Sequence, residues 1–126
     1  MSQTATTPEA VTQSPVGTWR EELFLSRGTY ASTLRFTENG RALLLRGPRP
    51  GCVGAGDWSA TGANRFTFRI AELVFEPDGT YTGWVGIEQH ATLDGDTFTS
   101  SGTSYVYDAE DRLLDQADVR ARGTRD

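Results

Sequence analysis

The chain has 126 residues, a formal charge of −5 at pH 7 and a single cysteine, Cys52. That length makes one domain with room for a real core, and the acidic balance, with no clustered basic surface, argues against nucleic acid as a partner. No apolar run approaches the roughly 18 residues of a membrane span, no internal disulfide can form, and because all 12 basic residues are arginine, Schiff-base chemistry on lysine is excluded.

Met1 to Pro15 is a mixture of Thr, Ser, Gln, Ala and Pro without an apolar block or a basic start. It reads as a disordered tail with no secretory signal, so the expected setting is cytoplasmic and the folded domain is 16–126. Strand one runs from about Gly17 to Leu25, with Trp19, Glu21, Leu23 and Leu25 on the inner face. Strand two covers Thr29 to Thr37, where Tyr30, Ser32, Leu34 and Phe36 share a face. The Asn39-Gly40 turn leads into a third strand, Arg41 to Arg46. Gly47-Pro48-Arg49-Pro50-Gly51 then breaks pairing and is a candidate lid or barrel mouth.

Trp58 sits in a fourth strand ending near Thr61-Gly62, and Arg65 to Glu76 forms a fifth with Phe66, Phe68, Ile70, Glu72 and Val74 in register. A bulge there would turn Glu72 outward. After Asp78-Gly79, strand six (Thr80 to Leu93) carries Tyr81, Val85, Ile87, Gln89, Ala91 and Leu93 inward. After Asp94-Gly95, strand seven (Asp96 to Tyr107) turns Phe98, Ser100, Gly102, Ser104 and Val106 inward. Strand eight, Arg112 to Thr124, does the same with Leu113, Asp115, Ala117, Val119, Ala121 and Gly123. Asn-Gly and Asp-Gly turns between period-two runs make a meander. A meander that fills a domain leaves two exposed edges unless it closes, so the expectation is all-β: a single closed antiparallel up-and-down barrel of about eight strands. Trp19 near its start and Arg125 at its end suit a plug, with the guanidinium stacked over the indole.

Ser100, Gly102, Ser104, Ala117 and Ala121 are small inward residues on neighbouring strands, which leaves space for a cavity unless large residues opposite fill it. Tyr30, Ser32, Trp58, Phe66, Phe68, Tyr81 and Ser104 would line an aromatic, mostly apolar pocket for a small organic molecule. One His and one Cys cannot build a multi-histidine or cysteine metal site. His90 falls on an outer face with no nucleophile elbow nearby, and Gly51-Cys52-Val53-Gly54-Ala55-Gly56 precedes a strand rather than the helix that phosphate binding needs. What remains for chemistry is Glu72, Glu21 and Gln89, polar groups turned into an apolar interior. Neither a metal nor a cofactor is expected. Trp84, on the polar face of strand six, is an exposed aromatic or part of a subunit contact, which leaves a homodimer open.

Gly17-Thr18-Trp19, Phe36-Thr37 before an Asn-Gly turn, Trp58, Phe75-Glu76-Pro77-Asp78-Gly79, Leu93-Asp94-Gly95-Asp96-Thr97-Phe98, Val106-Tyr107-Asp108 and Gly123-Thr124-Arg125 together resemble the small lipocalin-like (calycin) barrels of actinobacteria. These are turn and plug residues, which speak to fold more than to activity. Some similar barrels serve polyether and tetronate polyketide pathways as cyclases of the four-plus-two cycloaddition type. The resemblance implies a cofactor-independent cyclase that binds an apolar polyketide-type intermediate in its barrel. The rival within the same fold is a binding or carrier protein that leaves its ligand unchanged.

Overall fold

The computed structural model describes residues 13–26, 28–45 and 52–126. Among the described residues eight strands follow one another without a helix: β1 Gly17–Leu25, β2 Gly28–Phe36, β3 Arg41–Leu45, β4 Cys52–Gly62, β5 Arg65–Phe75, β6 Tyr81–Asp94, β7 Thr97–Asp108 and β8 Leu113–Arg125. Each pairs antiparallel with its neighbour, and β1 pairs with β8 to close the barrel. Among the described residues no helix is long and apolar enough to cross a membrane. The strands match the expected runs closely, and β4 is traced back to Cys52. The segment Gly47 to Gly51, expected as a lid or mouth, lies outside the described residues.

Turn chemistry sets the register. Gly40, Gly79 and Gly95 take positive φ at the three Asx-Gly turns, a region that glycine enters without strain. Asp78 Oδ1 accepts the Thr80 N–H at 2.9 Å, and that donor holds the Asp78 carboxyl below its ordinary range.

The packed core occupies the half of the barrel where the start of β1 meets the end of β8. Trp19, Leu34, Phe36, Ala42, Leu44, Phe66, Phe68, Ile70, Ala91, Leu93 and Phe98 form one buried cluster, with Trp58 and Ile87 against it. Phe36 meets Phe66 and Phe68 edge-on at 5.2 and 5.1 Å between ring centroids. Trp19 is plugged in place from all sides. Its ring meets Phe98 at 5.0 Å, its Nε1 donates to the Pro15 carbonyl at 2.8 Å, and the Arg125 guanidinium lies 4.3 Å over the indole. Arg125 also donates to the Val16 and Ser14 carbonyls and to Asp96 Oδ1. With Gln13 Oε1 accepting the Gly95 N–H at 3.0 Å, residues 13–15 lie against the barrel and are not part of a free tail.

The opposite half is less complete. β1 pairs with β8 only from Arg120 to Arg125, and β2 pairs with β3 only from Thr33 to Phe36. The start of β2, the end of β5 and the first half of β8 therefore project beyond the core, and their side chains are exposed. Gly102, expected to leave space, makes closure instead, and so does the inward Gly123. A Cβ on Gly102 would lie 1.8 Å from the Glu88 carbonyl oxygen, and one on Gly123 would lie 2.1 Å from Phe98 Cε2.

Candidate functional site

Between the packed core and the open end lies a cavity of about 130 Å³. Leu34, Leu44, Phe68 and Ile70 form its inner wall, and Leu23, Leu25 and Val85 continue it outward. Three polar side chains interrupt this apolar lining: Glu21, Glu72 and Ser104. Glu21 comes from the middle of β1, pairs across the ladder with Ser32, and is 4% exposed. Ser32 Oγ donates to its Oε1 at 2.8 Å, the kind of partner that a buried carboxyl requires.

Glu72 keeps its inward direction because β5 pairs without interruption with β4 from Phe66 to Glu72 and with β6 from Arg65 to Val74, the irregularities falling outside these stretches, between Ala60 and Gly62 and after Val74. It is half-buried, opposite Val85. Ser104 reaches the same cavity from β7. Five residues expected at the site are therefore brought to one place: Glu21, Glu72, Phe68 and Ser104 on the wall, and Ser32 behind Glu21.

The other five are located elsewhere. Gln89 is fully buried in the core, where its Oε1 accepts from Ser100 Oγ at 2.7 Å and its Nε2 donates to the Val119 carbonyl at 3.2 Å. Its amide is consumed by structural bonds and does not face the cavity. Phe66 belongs to the aromatic core behind Phe68. Trp58 is half-buried at the plugged end, with Nε1 donating to the Thr37 carbonyl at 2.8 Å. Tyr30 alternates correctly with Ser32 but lies on the projecting start of β2, 48% exposed. Tyr81 is exposed at the rim and packs on Phe75 at 5.6 Å. Asp115 and Ala117, also expected inward, fall on the exposed half of β8.

The outside of the barrel carries a second depression, of about 460 Å³, across β4 to β7. Ala55, Ala71 and Gly86 floor it, and Trp84, Tyr105 and Tyr107 wall one side. The Trp84 and Tyr107 rings stack at 4.2 Å and 16°. Trp84 Nε1 donates to Asp111 Oδ1 at 2.8 Å, and among the described residues Asp111 is the one non-glycine with positive φ. The turn that holds Asp111 is organised by Asp108, which accepts the Arg112 and Glu110 N–H groups and the Arg112 guanidinium. The Arg112 backbone donor leads in holding the Asp108 carboxyl below its ordinary range. His90 sits on this outer surface, with Nδ1 3.3 Å from Thr67 Oγ1. Among the described residues no group of three or more His, Cys, Asp or Glu could hold a metal ion.

Alternation carried the direction of most of these side chains. The apolar cavity walls Leu34, Leu44, Ile70, Val85 and Val119 went unnamed as site residues because an inward aliphatic reads the same whether it packs or lines a void. No protein-family model, curated protein or solved structure matches the chain.

Proposed function

We propose that the barrel binds a small organic molecule by inserting an apolar group into the cavity, with a polar substituent meeting Glu21, Glu72 or Ser104. The observation that carries this reading is an apolar cavity of about 130 Å³ with two carboxyl groups and one hydroxyl on its wall. The volume sets the size of the guest. A cavity of roughly 150 Å³ lined by aliphatic and aromatic side chains holds benzene, so the inserted group has about six to eight heavy atoms and a longer ligand enters by one end. The mixed lining supplies affinity through apolar burial and orientation through a few polar contacts.

Cyclisation of the bound molecule is the second reading, and the carboxyl pair favours it. Polar side chains held beside an apolar wall can stabilise charge that develops as a ring closes, and confinement of two ends of one molecule removes several kcal/mol of entropic barrier. A polyketide-type chain with its reacting end in the cavity, undergoing a four-plus-two ring closure, fits both terms. Carrier and cyclase share the same wall and differ in whether the guest leaves changed.

Titration of the full chain with small aromatic and aliphatic compounds bearing one hydroxyl or amide, followed by amide NMR, tests the binding step. Shifts centred on Leu34, Phe68, Ile70 and Ser104, and lost in an Ile70→Trp variant that fills the cavity, are expected. Shifts confined to the outer face of β4 to β7 would overturn it. Incubation with polyene extracts then separates the two readings by mass spectrometry: an isomer of unchanged mass means cyclisation, and an unaltered retained compound means carriage.

A further inference from the structure

We infer that the outer face of β3 to β6 is an interface between two copies of this chain, related by a two-fold axis that runs parallel to the strands between β4 and β5. The pairing register lays two rows of outward side chains across these four strands. One row reads Arg41, Asp57, Arg69, Glu88, and the next reads Leu43, Ala55, Ala71, Gly86. The first row alternates in sign. Reversed upon itself by the two-fold, it sets Arg41 against Glu88 of the second copy and Asp57 against Arg69 of the second copy, so every facing pair is of opposite charge.

The same operation sets Ala55 against Ala71 of the second copy, so that the backbones approach beside the two-fold, and sets Leu43 against Gly86, whose outer side the Trp84 ring covers, so that an aliphatic side chain meets an aromatic face. An arrangement in which each row is complementary to its own reversal is what an isologous contact demands. Leu73, 55% exposed, and the stacked Trp84 continue the apolar strip toward the open end, and an apolar strip of this kind on a barrel exterior marks an association surface. Within one copy the charged row achieves little. Arg69 and Glu88 approach to 3.8 Å with side chains 68% and 42% exposed, and an ion pair in such contact with water contributes little. Removal of water by the second copy is what gives the row its value, chiefly as register and specificity.

Sedimentation equilibrium of the full chain tests this, with an expected mass of about twice 13.8 kDa. Ala71→Arg places a long cation on an exposed, small position. It should leave thermal unfolding at low protein concentration unchanged while weakening the dimer by roughly a hundredfold, the scale of a like-charge and steric mismatch. Asp57→Arg alone should also weaken the dimer by roughly tenfold or more, through the facing Arg69. The exchange variant Asp57→Arg with Arg69→Asp should restore it, because the reversed row is again complementary. A chain that stays monomeric at every concentration, a dimer that survives Ala71→Arg, or a folded exchange variant that remains monomeric would each overturn the inference.

Discussion

The two halves of the barrel divide its tasks. At the plugged end, Trp19, Phe36, Phe66 and Phe98 interlock edge-to-face, the Arg125 guanidinium covers the indole, and residues 13–16 are tied down by side-chain hydrogen bonds. At the open end the same strands continue, but short pairings of β1 with β8 and β2 with β3 leave projecting segments, exposed Tyr30, Phe75 and Leu113, and the cavity. Aromatic packing stabilises one half so that the other half can remain partly empty. Two carboxyl groups are placed at the boundary of the aromatic cluster, where Glu21 accepts from Ser32 and Glu72 is half-buried.

This division predicts a graded response to mutation. Phe36→Ala removes a ring that touches three others, and should lower unfolding free energy by about 3–5 kcal/mol, whereas Tyr81→Ala at the rim should change it by less than about 1 kcal/mol. Urea denaturation of the two variants checks the contrast, and equal losses would erase it. Gly123→Ala forces a Cβ into the Phe98 ring and should lose about 1–3 kcal/mol, visible as a lower thermal midpoint. Ser32→Ala deprives the buried Glu21 of a donor and should lose about 1–3 kcal/mol. Glu72→Gln, half in solvent, should stay within about 0.5 kcal/mol of the parent while altering which compounds the cavity retains.

The smallest effect is in the turns. Asp78 and Asp108 both have lowered folded-state values. Their stabilisation is therefore complete above the unfolded aspartate value of about 3.9 and disappears as pH falls through the lowered ones. Amide NMR of Thr80 and Arg112 should follow titrations below the ordinary aspartate range. Midpoints at or above it would mean that these hydrogen bonds do not hold the turns.

Most of the fold was legible because turn dipeptides and period-two alternation are local signals. Asn39-Gly40, Asp78-Gly79 and Asp94-Gly95 set the hairpins, and the closed meander followed from them. The site was half legible for a reason that alternation cannot supply. It gives the direction of a side chain but not its height in the barrel, so Tyr30 points as expected yet lies beyond the wall, and it does not foresee a bulge, so the extra residue Thr82 turns Tyr81 to the outward face of its partner Phe75. Nor does it give partners, so Gln89 read as a polar group in an apolar cavity when Ser100 and the Val119 carbonyl occupy it. Gly102 read as empty space when a neighbouring carbonyl fills that position. Glu72 was the opposite case, its inward direction surviving because the irregularity falls beyond Val74 and its extra residue, Thr82, belongs to β6.

The seam between β1 and β8 also shapes how the molecule assembles. Every other pairing joins consecutive strands and closes a short loop, while the Arg125 to Val16 hydrogen bond spans 109 positions. Local hairpins can zip in sequence, and the ring becomes continuous only when its two ends find each other, a non-local step of the sort that slows folding. Trp19 and Arg125 act as the clasp of that ring. Until it fastens, β1 and β8 are bare edges open to pairing with other chains, so the rate at which the clasp closes sets how long the unfinished barrel is exposed to aggregation.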